Sequence, residues 1–205
     1  MNKNLIELLG EEKVYPIIRS RNADTVIKTA TAFIDAGIKL LEINVESVEV
    51  YKAMEKIAGN VHVCAGGIIT SQQAYAAINS GAELISSPIF QMNLVKISKD
   101  KHIPLIAGAS TANEAYSAWK ARVPLIKLYP ITAMGGVLYV EDLLRPMPFL
   151  NILVQGNVKI NEVPAYLKAG AYAVGIGRDL YEGHSYSEIS KRAKYLIKKA
   201  KEQNG

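Results

Sequence analysis

The stretch Asp35-Ala36-Gly37-Ile38-Lys39-Leu40-Leu41-Glu42-Ile43-Asn44-Val45 reads as the end of a helix followed by a strand. Gly37 stands after the last turn of an amphipathic segment, where a helix C-cap needs left-handed backbone, and an aliphatic run begins directly after it. Two more junctions have the same form, Asn79-Ser80-Gly81-Ala82 and Lys168-Ala169-Gly170-Ala171. Helix starts are marked as well. Thr70-Ser71-Gln72-Gln73 and Ser110-Thr111-Ala112-Asn113-Glu114 each offer a capping hydroxyl with a polar residue after it.

Working outward, short apolar or β-branched runs alternate with longer amphipathic segments along the whole chain, and no shift in composition marks a linker. The predicted strands are residues 14–19, 39–45, 62–67, 84–89, 104–110, 125–130, 151–156 and 173–177. Eight parallel strands, each followed by a helix, predict a (β/α)8 TIM barrel with a short N-terminal helix, in a single domain over residues 1–205. An open doubly wound sheet is the alternative. It usually has fewer strands and a glycine-rich first turn, which Arg19-Ser20-Arg21-Asn22 is not.

Composition narrows the function classes. A chain of 205 residues that is 49% hydrophobic suits one sizeable core. No apolar stretch approaches the roughly 18 residues of a membrane span, and no signal-like segment follows Met1-Asn2-Lys3-Asn4-Leu5, so the expectation is a soluble cytoplasmic protein with no membrane partner. The single cysteine, Cys64, rules out an internal disulfide. His62, His102 and His184 lie on unrelated segments without ligand spacing, so no metal is expected. Trp119 reads as a packing residue of the helix after strand five. Much of the net charge of +5 sits in residues 191–201, where the bases alternate with Ala193, Leu196, Ile197 and Ala200. That spacing describes a solvated outer helix and not a nucleic-acid or membrane contact.

Two charges stand where charge is costly. Lys127 interrupts Leu125-Ile126-Lys127-Leu128-Tyr129-Pro130, and Glu42 interrupts Leu40-Leu41-Glu42-Ile43-Asn44-Val45. An ordinary lysine, with a pKa of about 10.4, is almost entirely protonated at neutral pH and is a poor nucleophile. Burial disfavours the ammonium form, and lysines that form Schiff bases are activated this way. Alternation along the second strand points Glu42 and Asn44 to the barrel interior, where a carboxylate needs a partner. A raised carboxyl pKa and a lowered amine pKa would supply a proton shuttle beside an imine-forming nucleophile. The alternatives are a structural Glu42–Lys127 ion pair, or a lysine that snorkels to solvent.

The segments Val14-Tyr15-Pro16-Ile17-Ile18-Arg19, Ala36 to Ile43, Ser80-Gly81-Ala82-Glu83-Leu84-Ile85-Ser86-Ser87-Pro88 and Ile126-Lys127-Leu128-Tyr129-Pro130 resemble, in order and spacing, the bacterial 2-keto-3-deoxy-6-phosphogluconate / 4-hydroxy-2-oxoglutarate (KDPG/KHG) aldolase family. The resemblance implies a class I aldolase that joins a barrel lysine to a 2-oxo acid and releases pyruvate and an aldehyde. By position it gives Lys127 the Schiff-base role and Glu42 the general acid/base role. It adds Arg19, Gly66, Gly67, Pro88, Gly156, Asn157, Gly177 and Arg178 as substrate-binding positions. It implies no cofactor, a small-molecule 2-oxo acid substrate with or without a phosphate, and a homotrimer.

The departures concern substrate binding. Cys64-Ala65-Gly66-Gly67 stands where family members often have Gly-Ala-Gly-Thr, so main-chain N–H groups would replace the hydroxyl that helps to hold the pyruvate carboxylate. Glu46 stands in place of an arginine or threonine, Ala107-Gly108 in place of Pro-Gly, and Tyr129-Pro130-Ile131-Thr132 in place of a Phe-Pro motif. Gln155-Gly156-Asn157 replaces Thr-Gly-Gly, and Arg178 replaces a serine. Arg178 would clamp a phosphate or carboxylate, or else pair with Asp179 or Glu182; Arg19 would meet an anionic group, or else be an exposed turn residue. Two other functions stay open from sequence: an epimerase or isomerase on a sugar phosphate, and a binding protein with a decayed site.

Overall fold

The computed structural model describes residues 4–201. Helix α1 (Leu5–Glu12) precedes eight strand–helix units: β1 (Val14–Ile18) and α2 (Ala23–Asp35), β2 (Leu40–Asn44) and α3 (Glu49–Ile57), β3 (His62–Gly66) and α4 (Ser71–Asn79), β4 (Leu84–Ser86) and α5 (Met92–Lys101), β5 (Leu105–Ala109) and α6 (Ala112–Lys120), β6 (Leu125–Leu128) and α7 (Val137–Leu144), β7 (Ile152–Val154) and α8 (Val163–Lys168), β8 (Ala173–Ile176) and α9 (Tyr186–Lys201). The strands pair in sequence order and all in parallel. Val14 opposite Val174 joins β1 to β8 and closes the barrel.

The local signals are realised where the sequence places them. Gly37, Gly81 and Gly170 take φ of 95°, 91° and 98°, the left-handed geometry that ends a helix and frees the chain to turn into a strand. Thr70 with Gln73, and Thr111 with Glu114, form complete capping boxes at the starts of α4 and α6. The strands are buried on both faces, as a parallel barrel sheathed in helices requires.

Two apolar clusters result. The outer one lies between strands and helices and takes Ile43, Ile85, Ile126 and Val154 from the strands. The inner one fills the barrel with Tyr15, Ile17, Leu40, Cys64, Leu84, Ile106, Leu125, Leu153 and Ala173. Leu5, Ile6, Leu8 and Leu9 of α1 join the inner cluster, so the N-terminal helix seals the barrel at the end where the strands begin. The hydroxyl of Tyr172, on the turn before β8, donates to the Ile6 carbonyl at 3.0 Å and holds that seal.

Helix α9 buries Ile189, Ala193, Leu196 and Ala200 and turns its bases outward, as its pattern predicts. Trp119 is a partly exposed member of an aromatic stack, 5.7 Å from Tyr116 and 4.5 Å from Phe149 between ring centroids. No helix among the described residues is long and apolar enough to cross a membrane.

Candidate active site

Strands β2, β4, β6 and β8 each turn one small or aliphatic residue into the barrel, Leu40, Leu84, Leu125 and Ala173. Two positions further on, the pleat brings the same strands inward at Glu42, Ser86, Lys127 and Gly175. Four alternate strands thus build one layer at the C-terminal mouth of the barrel. It carries a carboxylate, a hydroxyl and an amine where the layer below carries only hydrocarbon. Gly175 adds no side chain to the layer, and its place is taken by Gln155 and Ile17, whose side chains would stand 3.0 Å and 2.9 Å from a Cβ there.

Lys127 is 3% exposed, and its Nζ donates to the Ser86 hydroxyl at 2.8 Å. Burial pushes the amine pKa down. The nearby Glu42 and Cys64 pull it partly back, and Arg19 lowers it further. Glu42 is fully buried; Gln155 Nε2 donates to its Oε1 at 3.4 Å, while Oε2 has no hydrogen-bond partner. The ion-pair reading is therefore corrected. Lys127 is bonded to Ser86 and feels Glu42 only through space, because the β2 carboxylate is held on the β7 side of the barrel. The snorkelling alternative is excluded by burial.

Beneath this layer, Tyr15 and Cys64 stay protonated. Burial raises both pKa values well above normal, and for Tyr15 the neighbouring Cys64 and Glu42 add to the effect. Gly66 of β3 leaves space for the carboxylate: a Cβ there would stand 2.2 Å from Glu42 Oε1.

A cleft of about 900 Å³ opens above the layer, between the loops that follow β1, β2, β6, β7 and β8. Arg19, Gly156, Asn157, Gly177 and Arg178 all line it, together with Gln155 and Tyr129. Tyr129 is the link to the lysine, whose Nζ lies 5.9 Å from its ring centroid. The other predicted positions lie off the cleft wall. Gly66 faces Glu42, Gly67 faces the Asn44 side-chain oxygen, and the Pro88 carbonyl packs where a Cβ of Gly108 would be.

The charges at the rim are mostly committed. Arg19 pairs with Glu46 at 3.4 Å, so the carboxylate at position 46 takes up the arginine expected to meet substrate. Asp179 collects Lys159 at 3.3 Å, Arg192 at 3.5 Å and the Ile160 backbone N–H at 3.0 Å. Arg178 is the least committed, its Nε 3.9 Å from Glu182 with both side chains well exposed. Among the described residues, no group of three His, Cys, Asp or Glu side chains gathers as a metal site.

Sequence reading assigned no role to Ser86 or to the Gln155 side chain. The signal for both was the period-two alternation already applied to Glu42, which from Leu84 points Ser86 inward and from Leu153 points Gln155 inward.

Residues 5–192 match the family model described as KDPG and KHG aldolase. The chain belongs to this family. Membership makes it a class I aldolase, a carbon–carbon lyase that cleaves 2-keto-3-deoxy sugar acids to pyruvate and an aldehyde. Among curated proteins it is similar to the 2-dehydro-3-deoxy-phosphogluconate aldolase of Haemophilus influenzae, 26% identical over 95% of this chain and 96% of that one. The KHG/KDPG aldolase of Escherichia coli is 25% identical over 95% of each chain. A solved KDPG aldolase of Legionella pneumophila, with pyruvate captured as a covalent carbinolamine, superposes with a TM-score of 0.87 at 21% identity, covering 96% of this chain and 99% of that one. The isomerase and binding-protein alternatives give way to an aldolase of the KDPG/KHG family.

Proposed function

We propose that Lys127 is the Schiff-base nucleophile of this aldolase and Glu42 its general acid/base. The observation that carries this reading is an amine with a lowered pKa, buried in one interior layer with a buried carboxylate, next to a cleft whose wall includes Tyr129, Gln155 and Gly175. Desolvation keeps a larger share of Lys127 uncharged, so that it can attack the C2 ketone of a 2-oxo acid. The carbinolamine loses its hydroxyl as water, with a proton from Glu42. The protonated imine then takes up the electron pair of the C3–C4 bond, forming an enamine, as Glu42 Oε2 accepts the C4 hydroxyl proton. General acid/base steps of this kind contribute about 10² to 10⁴ in rate. Gln155 holds the other carboxylate oxygen and leaves Oε2 without a hydrogen-bond partner, available for this proton.

The substrate is a 2-oxo acid of the KDPG or 4-hydroxy-2-oxoglutarate type. Its distal anionic group, phosphate or carboxylate, is met by Arg178 and the backbone of the Gly156-Asn157 and Gly177-Arg178 turns; this is supported by their place on the cleft wall and by the weak commitment of Arg178. In this reading Gly66 and Gly67, which lie against Glu42 and Asn44, and Pro88, which lies against Gly108, support the pyruvate end of the substrate.

We further read the chain as one domain, a cytoplasmic homotrimer. Exposed Ile69 and Ile89 on two loops, and Met92 at the start of α5, lie near a 3.2 Å hydrogen bond from Gln91 to the Ile69 carbonyl, an apolar patch suited to a second copy. Sedimentation equilibrium tests the trimer.

The decisive experiment for the chemistry is incubation with pyruvate and sodium borohydride, followed by peptide mass spectrometry. The expected result is a reduced pyruvate adduct on Lys127. An unmodified Lys127 under conditions that trap another family member would overturn the assignment.

A further inference from the structure

We propose that Ser86 is a second catalytic group, one that carries a proton between nitrogen and oxygen while Lys127 forms its imine. The proposal rests on the assignment of Lys127 as the nucleophile and adds a residue that neither the sequence reading nor family membership singles out.

The geometry is specific. Ser86 is the last residue of β4, fully buried, with its hydroxyl 2.8 Å from the Lys127 nitrogen. Its carbonyl is already bonded to the Ile68 N–H at 3.1 Å, so the residue is fixed in the barrel wall. Among the described residues no protein acceptor takes the hydrogen of this hydroxyl, which leaves it free for a group entering from the cleft. Glu42 does not fill this place. Its carboxylate is drawn toward Gln155 and makes no hydrogen bond to the amine.

The chemistry requires such a group. When the neutral amine adds to C2, the nitrogen lone pair forms the C–N bond and the carbonyl π pair moves to oxygen, giving a zwitterion with a proton to lose on nitrogen and an alkoxide to protonate. Direct transfer would pass through a strained four-membered ring. With Ser86 between them, nitrogen gives its proton to the serine oxygen as the serine gives its own to the alkoxide, through a six-membered ring of nitrogen, carbon, two oxygens and the two moving protons. The product is the neutral carbinolamine, the serine is restored, and no other reactant is consumed. Glu42 is then left to protonate the departing hydroxyl.

The test compares wild type, Ser86→Ala and Ser86→Thr in rapid-mix trapping with pyruvate and borohydride, in H2O and in D2O. Removing the hydroxyl is expected to slow adduct formation by about 10² or more, the lower bound for a positioned proton-transfer group, with the solvent isotope effect on that step reduced. Threonine restores most of the rate. Equal trapping rates for wild type and Ser86→Ala would overturn the proposal, and so would a slow alanine variant that keeps the wild-type isotope effect, because the hydroxyl would then only hold the lysine in place. If the alanine variant fails to fold, Ser86→Thr and Ser86→Val, equal in shape and different by one hydroxyl, give the same comparison. Failure of wild type itself to be trapped would count instead against Lys127 as nucleophile.

Discussion

Gly66→Ala tests whether the position of Glu42, and not just its presence, sets the rate. A methyl group at residue 66 would stand 2.2 Å from Glu42 Oε1, 2.5 Å from Cδ and 2.6 Å from Cγ. Ordinary contact begins at 3.4 Å, so the carboxyl must retreat by the difference, 1.2 Å, or the β3 backbone must give way. The carboxylate has little room to retreat, since it is fully buried and its 3.4 Å bond to Gln155 lies within the same packed interior. A misplacement of about 1 Å costs on the order of 10² in rate, which corresponds to about 2.7 kcal/mol at the barrier. Overpacking also costs about 1–3 kcal/mol of stability, or roughly 2–4 °C in Tm for each kcal/mol in a domain of this size. The assay is pyruvate release coupled to lactate dehydrogenase, with kcat and KM determined separately beside a thermal melt. The loss is expected in kcat, with a folded variant. A Gly66→Ala enzyme with the wild-type kcat would show that the carboxyl does not act from where it lies, and the reasoning from geometry to mechanism would fail.

Lys127→Met should reduce cleavage to the protein-free background while leaving Tm unchanged or raised, because a buried amine is replaced by a side chain of similar length that needs no hydration; a melt and the coupled assay check both halves. The pH dependence has a definite sign. The folded pKa of Lys127 is depressed by burial, so the unfolded chain takes up this proton first as pH falls below about 10.4, and wild-type stability declines relative to Lys127→Met over that window until the folded pKa is passed. Trapping by borohydride in turn rises with pH along a limb that lies below the free-amine value; a limb at about 10.4 would contradict the burial argument. Arg178→Ala should raise KM about tenfold or more for a phosphorylated substrate and leave that for an uncharged-tail analogue unchanged, as measured by parallel steady-state kinetics. Gly10→Ala, whose new methyl would lie 2.3 Å from the Tyr172 hydroxyl, should lower stability by about 1–3 kcal/mol in urea unfolding without altering kcat.

All eight strands were legible because glycines 37, 81 and 170 and the two threonine caps mark where the chain changes from one period to the other. Strand ends were less legible. The fourth run reads as 84–89 but ladder pairing stops at Ser86: the Ser87 N–H makes a last bond to the Ile106 carbonyl at 2.9 Å, and Pro88 has no N–H to continue. The sixth reads as 125–130 and ends at Leu128, again ahead of a proline. Lys127 and Glu42 stood out because a charge in an aliphatic run demands an explanation. Ser86 and Gln155 did not, since an uncharged polar residue at a strand end costs little and is common. Their roles come from contacts across the barrel: Ser86 meets Lys127 over 41 positions of sequence and Gln155 meets Glu42 over 113, between strands that do not pair. Only closure of the barrel brings those strands face to face.

The helix that stoppers the barrel has a kinetic consequence. With Leu5, Ile6, Leu8 and Leu9 filling one end, everything that reaches Lys127 must come and go by the other. With Lys127 as the proposed nucleophile, the fragment bonded to it would be the deeper of the two products, and the aldehyde would lie between it and the exit. On that proposal turnover would have an obligatory sequence: the aldehyde departs, water follows it in to hydrolyse the enamine-derived imine, and pyruvate leaves last. Product inhibition patterns should reflect this queue, with pyruvate competing against the substrate for the empty enzyme and the aldehyde engaging only the form that already carries its three-carbon passenger.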